Sequence, residues 1–173
     1  MHPLVRGYFA FHTEVLGVSG GFEEMNAAVA GRCFQYVTTR FMHNSEKVDD
    51  GEIHFETYPV EFWITHIRAA SLRFQDEVDT DHEFFQPVST VRDSWLSAYW
   101  PIAHKSSSSP ERFSLIHFGA YAGVVPPFAK LLNKALPGKL TSAINTVDSM
   151  EMTPISYAAE YGHAGIVQAI LQT

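Results

Sequence analysis

Residues 148–171 read DSMEMTPISYAAEYGHAGIVQAIL and contain the most informative local signals in the sequence. Thr153 can cap the start of a helix with its hydroxyl, and Pro154 pre-sets the first helical turn. Gly162 is placed to end that helix, because the residue after a helix often needs a left-handed backbone. The next apolar residues recur at helical spacing and predict a second helix; they are Ile166, Val167, Ile170 and Leu171.

This order of residues resembles the ankyrin repeat, whose pattern is Asp-x-x-Gly-x-Thr-Pro-Leu-His-x-Ala-Ala-x-x-Gly-His-x-x-Ile-Val-x-x-Leu-Leu. Glu151 replaces the usual turn glycine of that pattern, and Ser156 replaces the usual histidine. The small residues Ala158 and Ala159 are expected to let neighbouring helices approach closely. The residues that match outright are Asp148, Thr153, Pro154, Ala158, Ala159, Gly162, His163, Ile166, Val167 and Leu171, with Ile155 and Ile170 as conservative replacements.

A second, more degenerate copy lies upstream. Ser114–Gly123 aligns with Thr153–Gly162 at an offset of 39 residues. The family period is about 33 residues, so the excess of roughly six predicts an insertion around residues 136–139. Pro126 and Pro127 depart from the pattern and are expected to shorten the second helix of this copy. The apolar residues that align are Phe128, Leu131 and Leu132 with Val167, Ile170 and Leu171.

The earlier part of the chain also has apolar residues at helical spacing. This spacing predicts helices over about residues 25–37, 59–74 and 87–100. Each of the last two ranges begins with a proline, which suits a first helical turn. Pro101 is expected to limit the third helix, because the residue before a proline avoids the helical region.

The serine-rich stretch Lys105–Glu111 is the clearest loop in the sequence. It divides the chain into a helical region, residues 1–105, and a repeat region, residues 111–173. No long alternating run indicates a large sheet. The predicted fold class is therefore mainly α: an N-terminal helical region followed by two ankyrin-type helix–turn–helix repeats, with the N-terminal helices capping one end of the stack.

Short motifs in the first hundred residues resemble the helical segment that follows the nucleotide-binding module in fungal NACHT–ankyrin proteins. They are residues 5–9 (VRGYF), 26–37 (NAAVAGRCFQYV) and 58–70 (YPVEFWITHIRAA). Asn26 stands in for the family's histidine and Gly7 for its aspartate. The resemblance implies a piece of a larger signalling or self/non-self recognition protein. The sequence has no Gly-x-x-x-x-Gly-Lys-Ser/Thr loop, so nucleotide binding is not carried over and no cofactor is predicted.

The composition bounds the partners and the compartment. The net charge is −7 with 12 Lys and Arg residues, a balance that repels phosphate backbones and argues against nucleic acid. No stretch approaches about 18 uncharged apolar residues, so no transmembrane helix and no membrane partner are expected. The single cysteine, Cys33, excludes a disulfide within the chain. The predicted location is cytoplasmic.

A serine hydrolase is the alternative function. Gly17–Gly21 matches the Gly-x-Ser-x-Gly nucleophile elbow, with Ser19 as its nucleophile. That elbow belongs to a strand-to-helix turn of a parallel sheet, and the sequence shows no run of buried strands. A glycine turn between two helices is the preferred interpretation, and labelling with a fluorophosphonate probe would distinguish the two.

Other chemically suggestive residues have structural interpretations. The nine histidines include no His-Glu-x-x-His motif, so no metal site is predicted. His66 lies near an apolar stripe, while His117 and His163 occupy repeat positions where the ankyrin family's histidines hydrogen-bond backbone between repeats. Cys33 lies on an apolar helix face and is expected to be a buried thiol. Core packing is also expected for the aromatic cluster of Trp95, Tyr99 and Trp100.

The predicted function is protein–protein interaction, without catalysis. In the ankyrin family the partner surface is formed by the hairpin tips and the first helix of each repeat. No capping repeat follows Leu171 before Thr173, so either the chain is a truncated gene product or a partner pairs there, self-association through this open C-terminal repeat being one alternative. By position, the partner-binding residues are Ser149, Met150, Met152, Tyr157, Glu160 and Tyr161.

Overall fold

The computed structural model describes residues 21–42, 57–105, 108–134 and 140–173. Within these ranges the chain contains nine α-helices, one 3-10 helix and no strand, which confirms the mainly helical class. The helices are α1 (Phe22–Met42), α2 (Thr57–Ala69), α3 (Leu72–Asp76), the 3-10 helix η1 (Glu83–Phe85), α4 (Thr90–His104), α5 (Leu115–Ala122), α6 (Val125–Lys134), α7 (Leu140–Ile144), α8 (Pro154–Glu160) and α9 (Ala164–Leu171).

The predicted helix over residues 59–74 is wrong in one respect, because it is two helices with a break after Ala69. Ser71 caps the start of α3 by accepting a hydrogen bond from the backbone N–H of Phe74 at 3.3 Å. The buried side chain of Gln75 donates to the carbonyl oxygens of Arg68 and Ala70, at 3.2 and 3.0 Å. The amide of Gln75 thus supplies hydrogen bonds to carbonyl oxygens at the end of α2. In a continuing helix, backbone N–H groups would supply these bonds.

The predicted limits of α4 are also wrong at both ends. The helix begins after Ser89, whose hydroxyl accepts from the N–H of Arg92 at 3.1 Å, and not at Pro87. It continues through Pro101 to His104 and ends at Lys105, which has a left-handed backbone with φ of 52°. A proline inside a helix removes one hydrogen bond. Here the turn containing Pro101 is held by tertiary contacts of its neighbours, described below.

Two helix–turn–helix units follow, the first over residues 114–134 and the second over residues 153–171. Ser114 and Thr153 cap their first helices, and their hydroxyls accept from backbone N–H groups three residues later. Gly123 and Gly162 end those helices with φ of 70° and 72°. The N-caps of the first helices, the starts of both helices and the two left-handed glycines are each 39 residues apart between the units. Helix α5 packs against α8 and α6 against α9, so the two units lie side by side.

The prolines of the first unit do not shorten its second helix. Pro126 and Pro127 lie in the first turn of α6, where backbone N–H groups have no partner within the helix. Helix α6 has ten residues and α9 has eight. Proline at these positions therefore removes no hydrogen bond from the helix.

One hydrophobic cluster joins the N-terminal helices to the two units. Trp63 of α2, Phe84 of η1 and Trp95 of α4 surround the ring of Phe118 in α5, with centroid distances of 5.4 to 6.1 Å. All four rings are buried. On the other side, Lys130 of α6 pairs with the carboxylate of Asp76 at 3.1 Å. The core therefore continues across the serine-rich loop at residues 105–111.

Candidate protein-binding surface

The turn formed by residues 148–152, which precedes α8 and is called the hairpin below, is organised by the buried carboxylate of Asp148. Asp148 accepts hydrogen bonds from the N–H groups of Met150 and Met152, at 2.8 and 3.1 Å. Its second oxygen accepts from the hydroxyl of Tyr157 at 2.5 Å. Asp148 is fully buried, and burial together with this carboxylate raises the pKa of Tyr157. These bonds fix the hairpin to the first turns of α8.

The same hairpin is attached to the loop before the first unit. The backbone N–H of Ser149 donates to the carbonyl of Glu111 at 2.9 Å, and the N–H of Glu111 donates to the Ser149 hydroxyl at 2.8 Å. The guanidinium of Arg112 donates to the carbonyl of Asp148 at 3.1 Å. The turns of the two units therefore lie next to each other and are joined through backbone groups.

Two histidines connect the units in the way expected from their positions. His117 Nε2 donates to the carbonyl of Met152 at 3.1 Å, and His163 Nε2 donates to the carbonyl of Tyr121 at 3.0 Å. A carbonyl oxygen can only accept, so each ring carries its proton on Nε2. Burial lowers the pKa of both histidines, which favours the neutral form.

Helix α4 lies across the first helices of both units. The hydroxyls of Tyr99 and Tyr121 are 2.6 Å apart, and His104 Nε2 is 3.1 Å from the same Tyr121 hydroxyl. The ring of Trp100 is 5.6 Å from that of Tyr121 and 6.5 Å from that of Tyr157. The chain's own helix α4 therefore covers part of the face that α5 and α8 would offer to a partner.

This arrangement corrects one predicted partner-binding residue. Tyr157 is only 2% exposed, since it lies beneath Trp100 and binds Asp148, so it cannot contact a partner. Met152 is half-buried, and its backbone is used by Asp148 and His117. The other four predicted residues are exposed in two pairs at opposite ends of α8, Ser149 with Met150 and Glu160 with Tyr161.

The expectation that both alanines lie between packed helices holds for only one of them. Ala158 is fully buried, whereas Ala159 is exposed. Ala159 lies in a shallow groove of about 570 Å³ on the side of the second unit that faces away from the first. The side chain of Leu171 is 72% exposed on the same face, although its spacing predicts a buried stripe. This end face is formed by Ala159, Gly162, Ala164, Val167 and Leu171.

The remaining candidate residues have structural roles where they are described. Cys33 is buried, and desolvation raises the pKa of its thiol to about 11, so it is protonated near neutral pH. His66 is buried and accepts from the Tyr58 hydroxyl at 2.6 Å, while its Nδ1 donates to Asn26 Oδ1 at 2.9 Å. The predicted core packing is confirmed for Trp95, Tyr99 and Trp100.

The proposed hydrolase nucleophile, Ser19, lies outside the described residues. Across the part of the chain that the structure describes, no group of three or more histidine, cysteine or acidic side chains could hold a metal ion. Within the same ranges, none of the helices combines the length and the apolar character needed to cross a bilayer.

Comparisons with protein-family models, with curated proteins and with solved structures give no match for this chain.

Proposed function

We propose that this chain is a protein–protein interaction module built on two ankyrin-type units, and that it belongs to a larger signalling or recognition protein. The observation that carries the proposal is the equivalence of the two units at a 39-residue spacing. Ser114 corresponds to Thr153 as a helix cap, and Gly123 corresponds to Gly162 as a left-handed terminator. Matching caps, turns and side-by-side packing are typical of tandem repeats, whose usual role is recognition.

The contacts between the units add support. The histidine that follows Gly162 in the ankyrin pattern is His163, and its ring bridges to the carbonyl of Tyr121 in the first unit. Glu151 occupies the position of the pattern's turn glycine and has the left-handed backbone that glycine would favour, with φ of 60°. The geometry at these two positions supports the alignment of the second unit with the ankyrin pattern.

Residues that carry the N-terminal resemblance also contact each other. Asn26 of α1 and Tyr58 and His66 of α2 form one hydrogen-bonded chain between the two helices. The side chain of Asn26 is held in turn by the Phe22 carbonyl at 2.7 Å. A packed helix pair built around these positions is consistent with a segment that follows a nucleotide-binding module in a larger NACHT–ankyrin-type protein.

The partner surface that we propose differs from the one expected from the family. The N-terminal helices cover the outward side of α5 and α8, because Phe118 and Tyr157, which are 39 residues apart, both lie beneath aromatic residues from the earlier part of the chain. The exposed residues Ser149 and Met150 in the hairpin, and Glu160 and Tyr161 after it, remain available. Met150 is 58% exposed, which makes it the apolar centre of the hairpin tip.

Affinity capture with matched surface variants tests this proposal. The wild-type chain and the variants Met150→Ser and Tyr161→Ala would each be used as bait, and captured proteins quantified by mass spectrometry. Leu72→Ser is the control, because Leu72 is also an exposed apolar residue, at 72%, but lies on α3. We expect a partner whose recovery falls at least about tenfold, equivalent to 1.4 kcal/mol, with the first two variants and not with the control. Recovery that is equal for all four baits would contradict the proposed surface.

A further inference from the structure

The imidazole of His104, at the end of α4, is enclosed by aromatic rings. It stacks on the ring of Trp100, with centroids 4.0 Å apart and an angle of 28° between the planes. The ring of Tyr121 lies 5.8 Å from it, and the ring of Tyr161 lies 6.3 Å from it, edge-on. His104 Nε2 is 3.1 Å from the Tyr121 hydroxyl. We call the space bounded by Trp100, Tyr121 and Tyr161 the aromatic box, and His104 occupies it.

The walls of the aromatic box are held by contacts that do not involve His104. Trp100 is only 3% exposed, and its ring also packs against that of Phe113 at a centroid distance of 5.5 Å. Tyr121 is buried, and the ring of Tyr161 meets it edge to face at 4.9 Å. If the His104 side chain moved away, these rings would therefore remain around a space the size of a side chain.

The helical turn that carries His104 is weakly attached to the rest of the fold. Pro101 has no backbone N–H to donate to the preceding turn of α4. Lys105 has a left-handed backbone with φ of 52°, which strains a residue that has a Cβ. Ile102 and Ala103 are exposed. The turn is therefore held chiefly through the His104 ring, and its displacement would disrupt few buried contacts.

The surroundings of the aromatic box favour a positive charge. The faces of aromatic rings attract cations that lie within about 6 Å of the ring centroid. Burial lowers the pKa of His104, and the nearby carboxylate of Glu160 partly offsets this effect. The box thus holds a neutral ring near neutral pH and leaves its attraction for cations unused. Residues 140–173 contain three acidic residues and no lysine or arginine, although the exposed Arg68 of α2 lies within electrostatic range of Tyr121.

We propose that the aromatic box binds a lysine side chain of the protein partner, and that His104 is an internal occupant displaced with the last turn of α4 when the partner binds. The lysine ammonium group lies over the ring of Trp100 and donates a hydrogen bond to the Tyr121 hydroxyl, with Glu160 as its counter-charge. The methylene stem packs along the ring of Tyr161. This inference rests on the proposed function, since Glu160 and Tyr161 belong to the proposed partner surface.

Titration of the full chain with the peptide heptalysine, followed by NMR, tests the displacement. The ring current of Trp100 shifts the Cε1–H resonance of His104, because the two rings are stacked. This resonance is assigned by its absence from the spectrum of His104→Gln. We expect heptalysine to move it towards its value in an unstructured peptide, and heptalysine with acetylated side chains to leave it in place. Absence of binding, or binding that leaves the resonance unmoved, would overturn the proposal.

Variants of equal charge separate the aromatic box from the general attraction of a chain with net charge −7. Tyr161→Leu removes one wall and should weaken heptalysine binding at least about fivefold. His104→Ala empties the box and should tighten binding at least about threefold, because no occupant has to be displaced. Leu72→Ser, on α3, is the control and should bind as the wild type does. Equal dissociation constants for the wild type and Tyr161→Leu, or for the wild type and His104→Ala, would contradict the proposal.

The result is distinguishable from that of the affinity capture. Heptalysine is supplied directly, so its binding does not depend on finding the natural partner. A captured partner that is lost with Met150→Ser, together with a chain that does not bind heptalysine, would support the proposed function and reject the aromatic box. Equal recovery with all four baits, together with heptalysine binding that requires Tyr161, would reject the proposed surface and support the box as a lysine site.

Discussion

Arg112 and Glu151 lie at equivalent positions 39 residues apart, and both have a left-handed backbone with φ of 60° although neither is glycine. Each residue lies two positions before the N-cap of a unit's first helix. A left-handed backbone costs a residue with a Cβ roughly 1–2 kcal/mol. Arg112 gains a hydrogen bond to the Asp148 carbonyl at this position. Glu151 is exposed, so its position is the better one at which to measure the strain.

Replacing Glu151 with glycine should stabilise the protein. Removing the Cβ relieves the left-handed strain, and glycine's greater freedom in the unfolded chain offsets part of the gain. We expect Glu151→Gly to raise the free energy of unfolding by up to about 1 kcal/mol, measured by urea titration. Glu151→Ala is the control, because it removes the same carboxylate and keeps the Cβ. A gain of the same size in both variants would attribute the effect to charge and not to backbone strain.

Tyr157 and Tyr161 should respond differently to substitution. Tyr157→Phe leaves the buried Asp148 carboxylate without its hydroxyl donor, and we expect a loss of about 1–3 kcal/mol in the free energy of unfolding. Tyr161 is 38% exposed and its ring forms an edge-to-face pair with that of Tyr121, so Tyr161→Ala should cost no more than about 1.5 kcal/mol while weakening partner binding. Chemical denaturation of both variants checks this order. If Tyr161→Ala lowered the free energy of unfolding more than Tyr157→Phe, Tyr161 would have a structural role and would not belong to the proposed partner surface.

Acidification should destabilise the protein through His66. Burial lowers the pKa of this histidine from 6.5 to about 4, because the charged ring would lose water without gaining an anionic partner. Its neighbours are the Tyr58 hydroxyl and the Asn26 amide oxygen. Above pH 6.5 the ring of His66 is neutral in both the folded and the unfolded state, so its protonation does not lower the free energy of unfolding. Between pH 6.5 and about 4 the unfolded state binds a proton that the folded state does not, and the loss accumulates to about 3 kcal/mol.

Urea titrations from pH 7.5 to 4.5 measure this loss, with His66→Gln as the comparison. The variant should be less stable at pH 7.5 and should show a shallower dependence on pH. Burial also lowers the pKa values of His104, His117 and His163, so some dependence with the same sign will remain. Identical slopes for the variant and the wild type would exclude His66 as a cause.

Gly123 and Gly162 form a matched pair for substitution by alanine. Both variants acquire left-handed strain, but only at Gly123 would the new Cβ meet the His163 ring, at 2.5 Å. We expect Gly123→Ala to lower the free energy of unfolding by at least about 1 kcal/mol more than Gly162→Ala, because the ring must move and its bond to the Tyr121 carbonyl is lost. When His163 is also replaced by alanine, the two glycine substitutions should lower the free energy of unfolding by more similar amounts. An unchanged difference would show that the His163 ring is not its cause.

Features that depend on local interactions could be predicted from the order of residues. The helical class, the cap at Thr153, the terminator at Gly162 and the 39-residue copy beginning at Ser114 follow from residue types and their spacing. A cap or a left-handed turn is decided within about four residues, so its signal is present in the chain order. The predicted burial of Cys33 is also confirmed, because a residue on the apolar stripe of a helix lies on the face that packs against the core.

Which helix faces are covered depends on long-range packing and could not be predicted from the order of residues. Tyr157 is buried and Ala159 is exposed because α4 crosses one side of α8 while nothing among the described residues stacks on the other. The continuation of α4 through Pro101 depends likewise on Trp100 and His104 packing against Tyr121, which lies in a separate helix. These outcomes arise from contacts between residues tens of positions apart in the chain, and helical spacing identifies an apolar face without identifying what covers it.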